Sequence, residues 1–254
     1  MYIAGYHNVT LLDFPGKVAA LCFFQGCQLR CPYCHNPGMV LPGFFKKEAE
    51  INKTTEGFFN YLDRRKGLLD GVVVSGGEPL MQDGLMQFLR KLKENGFLVK
   101  LDTNGLLPQR LAEVIQNELV DHVALDYKNC LDGWAETTGV KNLQAAENNY
   151  LAWQQSLDIL NCFGVDYELR TTVVKELHPR HYLYQMANDL RRLNLKPATT
   201  WFLQRFQNKP AVLADYEPFY NNKKSLTAYS PGEMILLADY IKSSTAEVRL
   251  RNVS

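Results

Sequence analysis

A chain of 254 residues with 46% hydrophobic side chains can bury a substantial core, as one large α/β domain rather than two small ones. Its 28 basic and 27 acidic residues leave a formal charge of +1, which excludes a global field drawing it to nucleic acid or to an anionic membrane, so any partner has to be recognised locally. The longest apolar runs, such as Val18 to Phe24, are too short to span a bilayer, and Met1 to His7 lacks the basic and apolar segments of a signal peptide, so the expected location is the cytoplasm.

In chain order, strand-like and helix-like patterns alternate. Val18 to Phe24 and Gly71 to Val74 are short continuous apolar runs, as in strands buried on both faces. Leu98 to Asp102, His122 to Tyr127, Tyr167 to Val174 and Thr200 to Phe206 continue the series. Amphipathic stretches lie between and after them: Thr54 to Leu62, Asp83 to Glu94, Pro108 to Leu119, Ala146 to Leu160, Arg180 to Leu193 and Pro231 to Ile241. Leu85, Phe88, Leu89 and Leu92 fall at i, i+3, i+4 and i+7, one face of a helix. Six repeated βα units predict a parallel sheet with helical crossovers, open or curled into a partial barrel. The core is expected over about 17–206, with an extension over about 207–254 of the same domain.

In such folds the site lies at the carboxyl ends of the strands, so polar residues should gather there. After the first predicted strand come Cys27, Cys31 and Cys34; after the second, Ser75-Gly76-Gly77-Glu78-Pro79; after the third, Asp102-Thr103-Asn104-Gly105. The fourth ends in Asp126-Tyr127-Lys128, the fifth carries Glu168 and Arg170, and the sixth offers Gln204 and Arg205. Asp102 and Asp126 at one mouth require compensation by Lys128, by a proton or by a bound cation.

The cysteine spacing, C-x3-C-x2-C, carries the most chemistry. Three thiolates can hold three irons of a [4Fe–4S] cubane and leave the fourth open, whereas an electron-transfer ferredoxin usually supplies four. The other readings are a Cys3His zinc site completed by His35 or His7, and cysteines buried as small apolar side chains. Against zinc, the sequence has no second paired knuckle, and His35 adjoins Cys34 too closely for both to chelate one tetrahedral ion comfortably. Cys22, Cys130 and Cys162 are isolated in apolar contexts and read as core residues, not as disulfide partners.

The cysteine triplet followed by Ser75 to Pro79 resembles the radical S-adenosylmethionine (SAM) superfamily. The resemblance implies a partial (βα)6 barrel, a [4Fe–4S] cluster on Cys27, Cys31 and Cys34, and SAM chelating the open iron. It further implies that Gly76 and Gly77 let the backbone approach the methionine moiety, that Glu78 accepts a hydrogen bond from the SAM amino group, and that Tyr33 lies near the adenine. Phe24 to Pro37 together with Asp102 to Gly105, Leu125 to Lys128 and Arg170 is similar to the activating enzymes of glycyl radical enzymes. By that resemblance Asp126 contacts the ribose, Lys128 and Arg170 hold the SAM carboxylate, Asn104 belongs to the same binding loop, and a monovalent cation sits near Asp102 and Asp126.

Thr10 to Lys17, Cys31 to Pro37 and Trp201 to Phe206 look most like the anaerobic (class III) ribonucleoside-triphosphate reductase activating proteins. Formate-lyase activators end the sixth strand in a His near SAM, where this chain reads Leu203-Gln204-Arg205-Phe206. The implied partners are that reductase and a flavodoxin or ferredoxin as electron donor. Tyr216, Phe219, Tyr220, Lys223 and Lys224 are candidates for the partner surface. Activation of another glycyl radical enzyme such as pyruvate formate-lyase, and radical SAM chemistry on a small molecule or peptide, are the alternatives.

Overall fold

The computed structural model describes residues 3–193, 195–196, 199–207, 212–216, 225–242 and 246–253. Eight strands form one sheet in sequence order: β1 (Ile3–Thr10), β2 (Ala19–Phe24), β3 (Gly71–Gly76), β4 (Leu98–Thr103), β5 (His122–Asp126), β6 (Asp166–Val173), β7 (Thr200–Arg205) and β8 (Glu247–Arg251). β1 is antiparallel to β2, and β2 through β8 run parallel. Parallel strands that follow one another in sequence order call for crossovers of one hand advancing in one direction, which place the connecting helices on one face and let the sheet curl around the other as a barrel interior.

The six strands expected from the sequence are present. Two further strands, β1 and β8, stand at the margins without an apolar run to announce them. β1 folds back as a hairpin onto β2, and β8 reads Glu-Val-Arg-Leu-Arg, whose charged alternate positions hide a strand from an apolar-run search.

The outer layer comprises α1 (Pro37–Val40), α2 (Glu48–Asp63), α3 (Leu85–Glu94), α4 (Pro108–Gln116), α5 (Leu131–Thr138), α6 (Leu143–Cys162), α7 (Arg180–Arg192) and α8 (Pro231–Ile241). On α3 the stripe Leu85, Phe88, Leu89 and Leu92 is fully buried against the sheet, and each side chain contributes about 2 kcal/mol of transfer free energy. α8 starts at a capping box, with the Ser230 hydroxyl accepting from the Glu233 N–H. α5 has little sequence signal, because Gly133 and two threonines give it low helix propensity. Tertiary packing overrides that: Trp134 is fully buried, and a Cβ on Gly133 would lie 2.3 Å from the Asn129 side chain.

The main core joins the outward residues of the strands to the helices, and includes Val72, Val74, Val99, Leu101, Val123, Leu125, Leu169 and Trp201. A second, small apolar cluster of Phe14, Ala19 and Val73, with Leu21 and Leu98 packed on it, lies on the opposite face. Elsewhere that inner face carries the charged side chains of Lys100, Asp102, Asp126, Glu168 and Arg170.

Candidate functional site

The loop after β2 holds the three cysteines and is pinned by four backbone bonds to three segments. Gly26 donates to the Met39 carbonyl (2.7 Å), Arg30 to that of Thr138 (2.9 Å), Leu213 to Cys34 (2.9 Å) and Ala214 to Pro32 (3.0 Å). The Arg30 guanidinium adds bonds to the carbonyls of Cys27 (2.7 Å) and Leu29 (2.9 Å) from within the loop. All three cysteines border one cavity of about 230 Å³ at the carboxyl ends of the strands. Among the described residues, no three His, Cys, Asp or Glu side chains converge on a single-ion site. Three thiol residues lining one cavity form a donor set suited to a polynuclear cluster.

Burial pushes the Cys27 thiol up to about 12, with Cys31 and Glu78 adding to it; burial likewise takes Cys31 to about 11 and raises Cys34. These groups are neutral thiols without metal, so cluster assembly has to release protons. Tyr33 is buried on the same cavity wall, its ring edge-on to His178 with centroids 6.4 Å apart.

The Ser75-Gly76-Gly77-Glu78 turn follows β3, and Ser75, Gly76 and Gly77 border the cavity. Both glycines are required by the protein's own backbone. A Cβ on Gly76, at φ +126°, would lie 2.3 Å from Phe24 N and O, and one on Gly77 would lie 2.0 Å from Gly26 O. The family resemblance links them to the methionine moiety of SAM; the approach that excludes a side chain here is that of β2 and the cysteine loop. Glu78, assigned by the same resemblance to the SAM amino group, is buried beside the cavity with three protein donors: Thr103 Oγ1 (2.8 Å), Asn104 N (2.8 Å) and Leu80 N (3.2 Å). Burial pushes its carboxyl up to about 7 against those bonds. It holds the Thr103-Asn104 turn against the β3 loop, and Asn104 Nδ2 in turn lies 3.8 Å from Cys27 Sγ.

Asp102, Asn104, Asp126, Lys128 and Arg170 border the same cavity. Arg170 bridges the two acids, with Nη1 3.0 Å from Asp102 Oδ2 and Nη2 3.0 Å from Asp126 Oδ1; Lys128 Nζ reaches Asp126 Oδ2 at 2.8 Å. Burial alone would raise the Asp126 carboxyl, but Lys128 and Arg170 outweigh it and hold it below the ordinary value. Burial opposes the Arg170 charge too, and Asp102 and Asp126 outweigh it. Lys128 stays charged through Asp126 in the same way.

His178 joins this group without a spacing signal in the sequence, because its partners are main-chain groups. It is fully buried; Val174 N–H donates to its Nδ1 (3.1 Å), so Nε2 carries the proton and donates to the Lys128 carbonyl (2.8 Å). The ring therefore ties the segment after β6 to the backbone that presents Lys128. Gln204 and Arg205 do not border the cavity; Arg205 Nε donates to the Tyr229 carbonyl (2.6 Å). Tyr216 is about half exposed and packs edge-on against Phe44, while Phe219, Tyr220, Lys223 and Lys224 lie outside the described residues.

The radical SAM superfamily profile matches residues 21–143. A protein of Methanocaldococcus jannaschii named as a glycyl-radical enzyme activating enzyme is 33% identical over 216 residues, covering 85% of this chain and 84% of that one. The pyruvate formate-lyase-activating enzyme of Clostridium pasteurianum is 35% identical over 156 residues, 58% of this chain and 63% of that protein. Among solved structures, a domain of pyruvate-formate lyase-activating enzyme from Bacteroides vulgatus superposes with a TM-score of 0.53 at 16% identity, covering 72% of this chain and 99% of that one. Streptococcus suis SuiB bound to S-adenosylmethionine superposes with a TM-score of 0.62 at 12% identity, covering 91% of this chain and 52% of that one. At these identities the two structures bear on the fold, a partial barrel of parallel strands with outer helices.

Proposed function

The chain belongs to the glycyl-radical-enzyme activating enzymes of the radical SAM superfamily, and from that we propose that it installs a glycyl radical on an anaerobic ribonucleoside-triphosphate reductase. Its cofactors are a [4Fe–4S] cluster and SAM. Cluster and SAM would together supply one-electron reductive cleavage of the SAM sulfonium, releasing methionine, and with it the oxidising power to remove a Cα hydrogen from a partner glycine.

One observation carries this reading: the thiols and the charged group Asp126, Lys128 and Arg170 border a single cavity. Cys27, Cys31 and Cys34 would hold the cluster. Lys128 and Arg170 would take the SAM carboxylate, Asp126 the ribose, and Ser75, Gly76 and Gly77 would line the methionine moiety. Tyr33 would flank the adenine. Such chemistry needs placement and exclusion of water rather than an acid–base pair, and buried charges fixed by one another provide a prepaid orientation. Glu78 would act here by holding Asn104, and His178 by holding Lys128.

The choice of reductase rests on Thr10 to Lys17, Cys31 to Pro37 and Trp201 to Phe206, and on Gln204-Arg205 where a formate-lyase activator has a histidine. Identity to a pyruvate formate-lyase-activating enzyme favours the second reading, formate lyase. A flavodoxin or ferredoxin would deliver the electron, and the setting would be the cytoplasm. No helix of the described residues is long and apolar enough to cross a membrane.

Reconstituted, reduced protein incubated with SAM and each candidate partner should give a glycyl-radical doublet in electron paramagnetic resonance with the reductase. A doublet with formate lyase alone would transfer the assignment; 5′-deoxyadenosine without a radical on either would point to a small-molecule or peptide substrate.

A further inference from the structure

The charged residues of the inner face form one line of alternating sign. From the mouth downward it runs Lys128, Asp126, Arg170, Asp102, Lys100, Glu168 and Arg251. The first steps are the 2.8–3.0 Å contacts at the mouth. Lys100 Nζ then lies 3.6 Å from Asp102 Oδ1 and 3.1 Å from Glu168 Oε1. Arg251 closes the line with Nη1 and Nη2 each 3.2 Å from a Glu168 oxygen, its guanidinium lying 3.5 Å from the Phe202 ring centroid.

The register explains why β4 and β6 can speak to each other across β5. Asp102 pairs with Ala124, and Ala124 with Glu168. Ala124 shares its face of β5 with Asp126, and having only a methyl group it leaves the space in which Lys100 reaches Glu168 and Arg170 reaches Asp102. Lys100 is fully buried; its ammonium donates to the Asp13 carbonyl and to Glu168 Oε1, and Asp102 Oδ1 is its third, purely ionic contact.

Asp102 identifies what Lys100 does. Its Oδ2 is taken by Arg170, while its Oδ1 is buried without a hydrogen bond and faces Lys100. An unpaired buried carboxylate oxygen beside a cavity is a place where a small cation would otherwise be needed. We propose that Lys100 is the built-in counter-cation of the site: a positioning residue whose ammonium compensates Asp102 in place of a metal ion and so keeps Arg170 aimed at the cavity. The idea rests on the reading of Arg170 as a SAM ligand.

The test is a titration of the reduced, reconstituted enzyme with SAM, following the cluster resonance, in buffers containing potassium, sodium or choline. Wild-type affinity should agree within about twofold across the three. Lys100→Met should bind SAM about tenfold or more weakly in choline and recover in potassium or sodium, since a small cation can occupy the space opposite Asp102, while Lys100→Arg should keep most of the affinity without added cation. A loss in Lys100→Met that no cation restores, or wild-type binding that needs one particular metal cation, would overturn the proposal. The wild-type comparison decides even where Lys100→Met does not fold. A wild-type resonance indifferent to SAM would instead remove the proposed function.

Discussion

The two faces of the same sheet carry opposite chemistry from alternating residues. On β4, Val99 and Leu101 point to the helices while Lys100 and Asp102 point to the barrel; on β6, Leu169 and Val173 contrast with Glu168 and Arg170. The outward face also takes all three tryptophans, with Tyr127 stacked on Trp153 at 4.1 Å. Apolar burial there supplies stability. The inward charges do not: buried ion pairs roughly break even against apolar residues of the same volume, and their retention at one mouth fits a demand for placed charge. The fold is thus held by one face and used by the other, and mutations on the two faces should separate stability from chemistry.

The largest effect should come at the mouth. Cys31→Ala is expected to abolish iron–sulfur absorbance and all SAM cleavage while the apo-protein unfolds within about 1 kcal/mol of wild type. A variant that instead fails to fold would mean the loop is a structural metal site. On the outward face, Trp153→Ala should cost the apo-protein about 3–5 kcal/mol in urea unfolding. A loss below about 1 kcal/mol would show that the aromatic cluster does not anchor the helices.

His178 ties the segment after β6 to the backbone of Lys128, and its effect is pH-dependent. Burial depresses its imidazole from the ordinary 6.5 to about 4. The unfolded chain therefore binds the proton first, and native stability present above pH 6.5 is lost as the pH falls toward 4, by about 3 kcal/mol from this group. His178→Gln should flatten that part of the profile; urea midpoints at pH 7 and pH 4.5 for both proteins measure it, and equal slopes would contradict the assignment. The smallest effect belongs to the exposed tip between β1 and β2: Leu12→Ser, at a side chain 84% exposed, should change unfolding free energy by no more than about 0.5 kcal/mol.

Much of this division is legible in the chain. The six apolar runs locate the inner strands, and the rule that sites sit at strand carboxyl ends gathers Cys27, Ser75, Asp102, Asp126, Lys128 and Arg170 at one mouth from residue order alone. Lys100 and Arg251 are invisible as partners because their common acid, Glu168, lies two strands away from each, reached by Lys100 across Ala124 of β5 and by Arg251 across β7. The roles of Glu78 and His178 stay hidden for a related reason: most of their partners are main-chain groups of other segments, which no residue pattern displays. At Gly76 and Gly77 the structure adds a requirement that the sequence does not display, the close packing of Phe24 and Gly26 backbone atoms.

Thiols and placed charges around one cavity work together as a single site. Electron paramagnetic resonance of the anaerobically reconstituted, reduced protein, recorded with and without SAM, tests it most directly. The expected result is a [4Fe–4S]+ signal that changes when SAM is added, with 5′-deoxyadenosine formed. Bound zinc without iron, or a cluster signal indifferent to SAM, would contradict it.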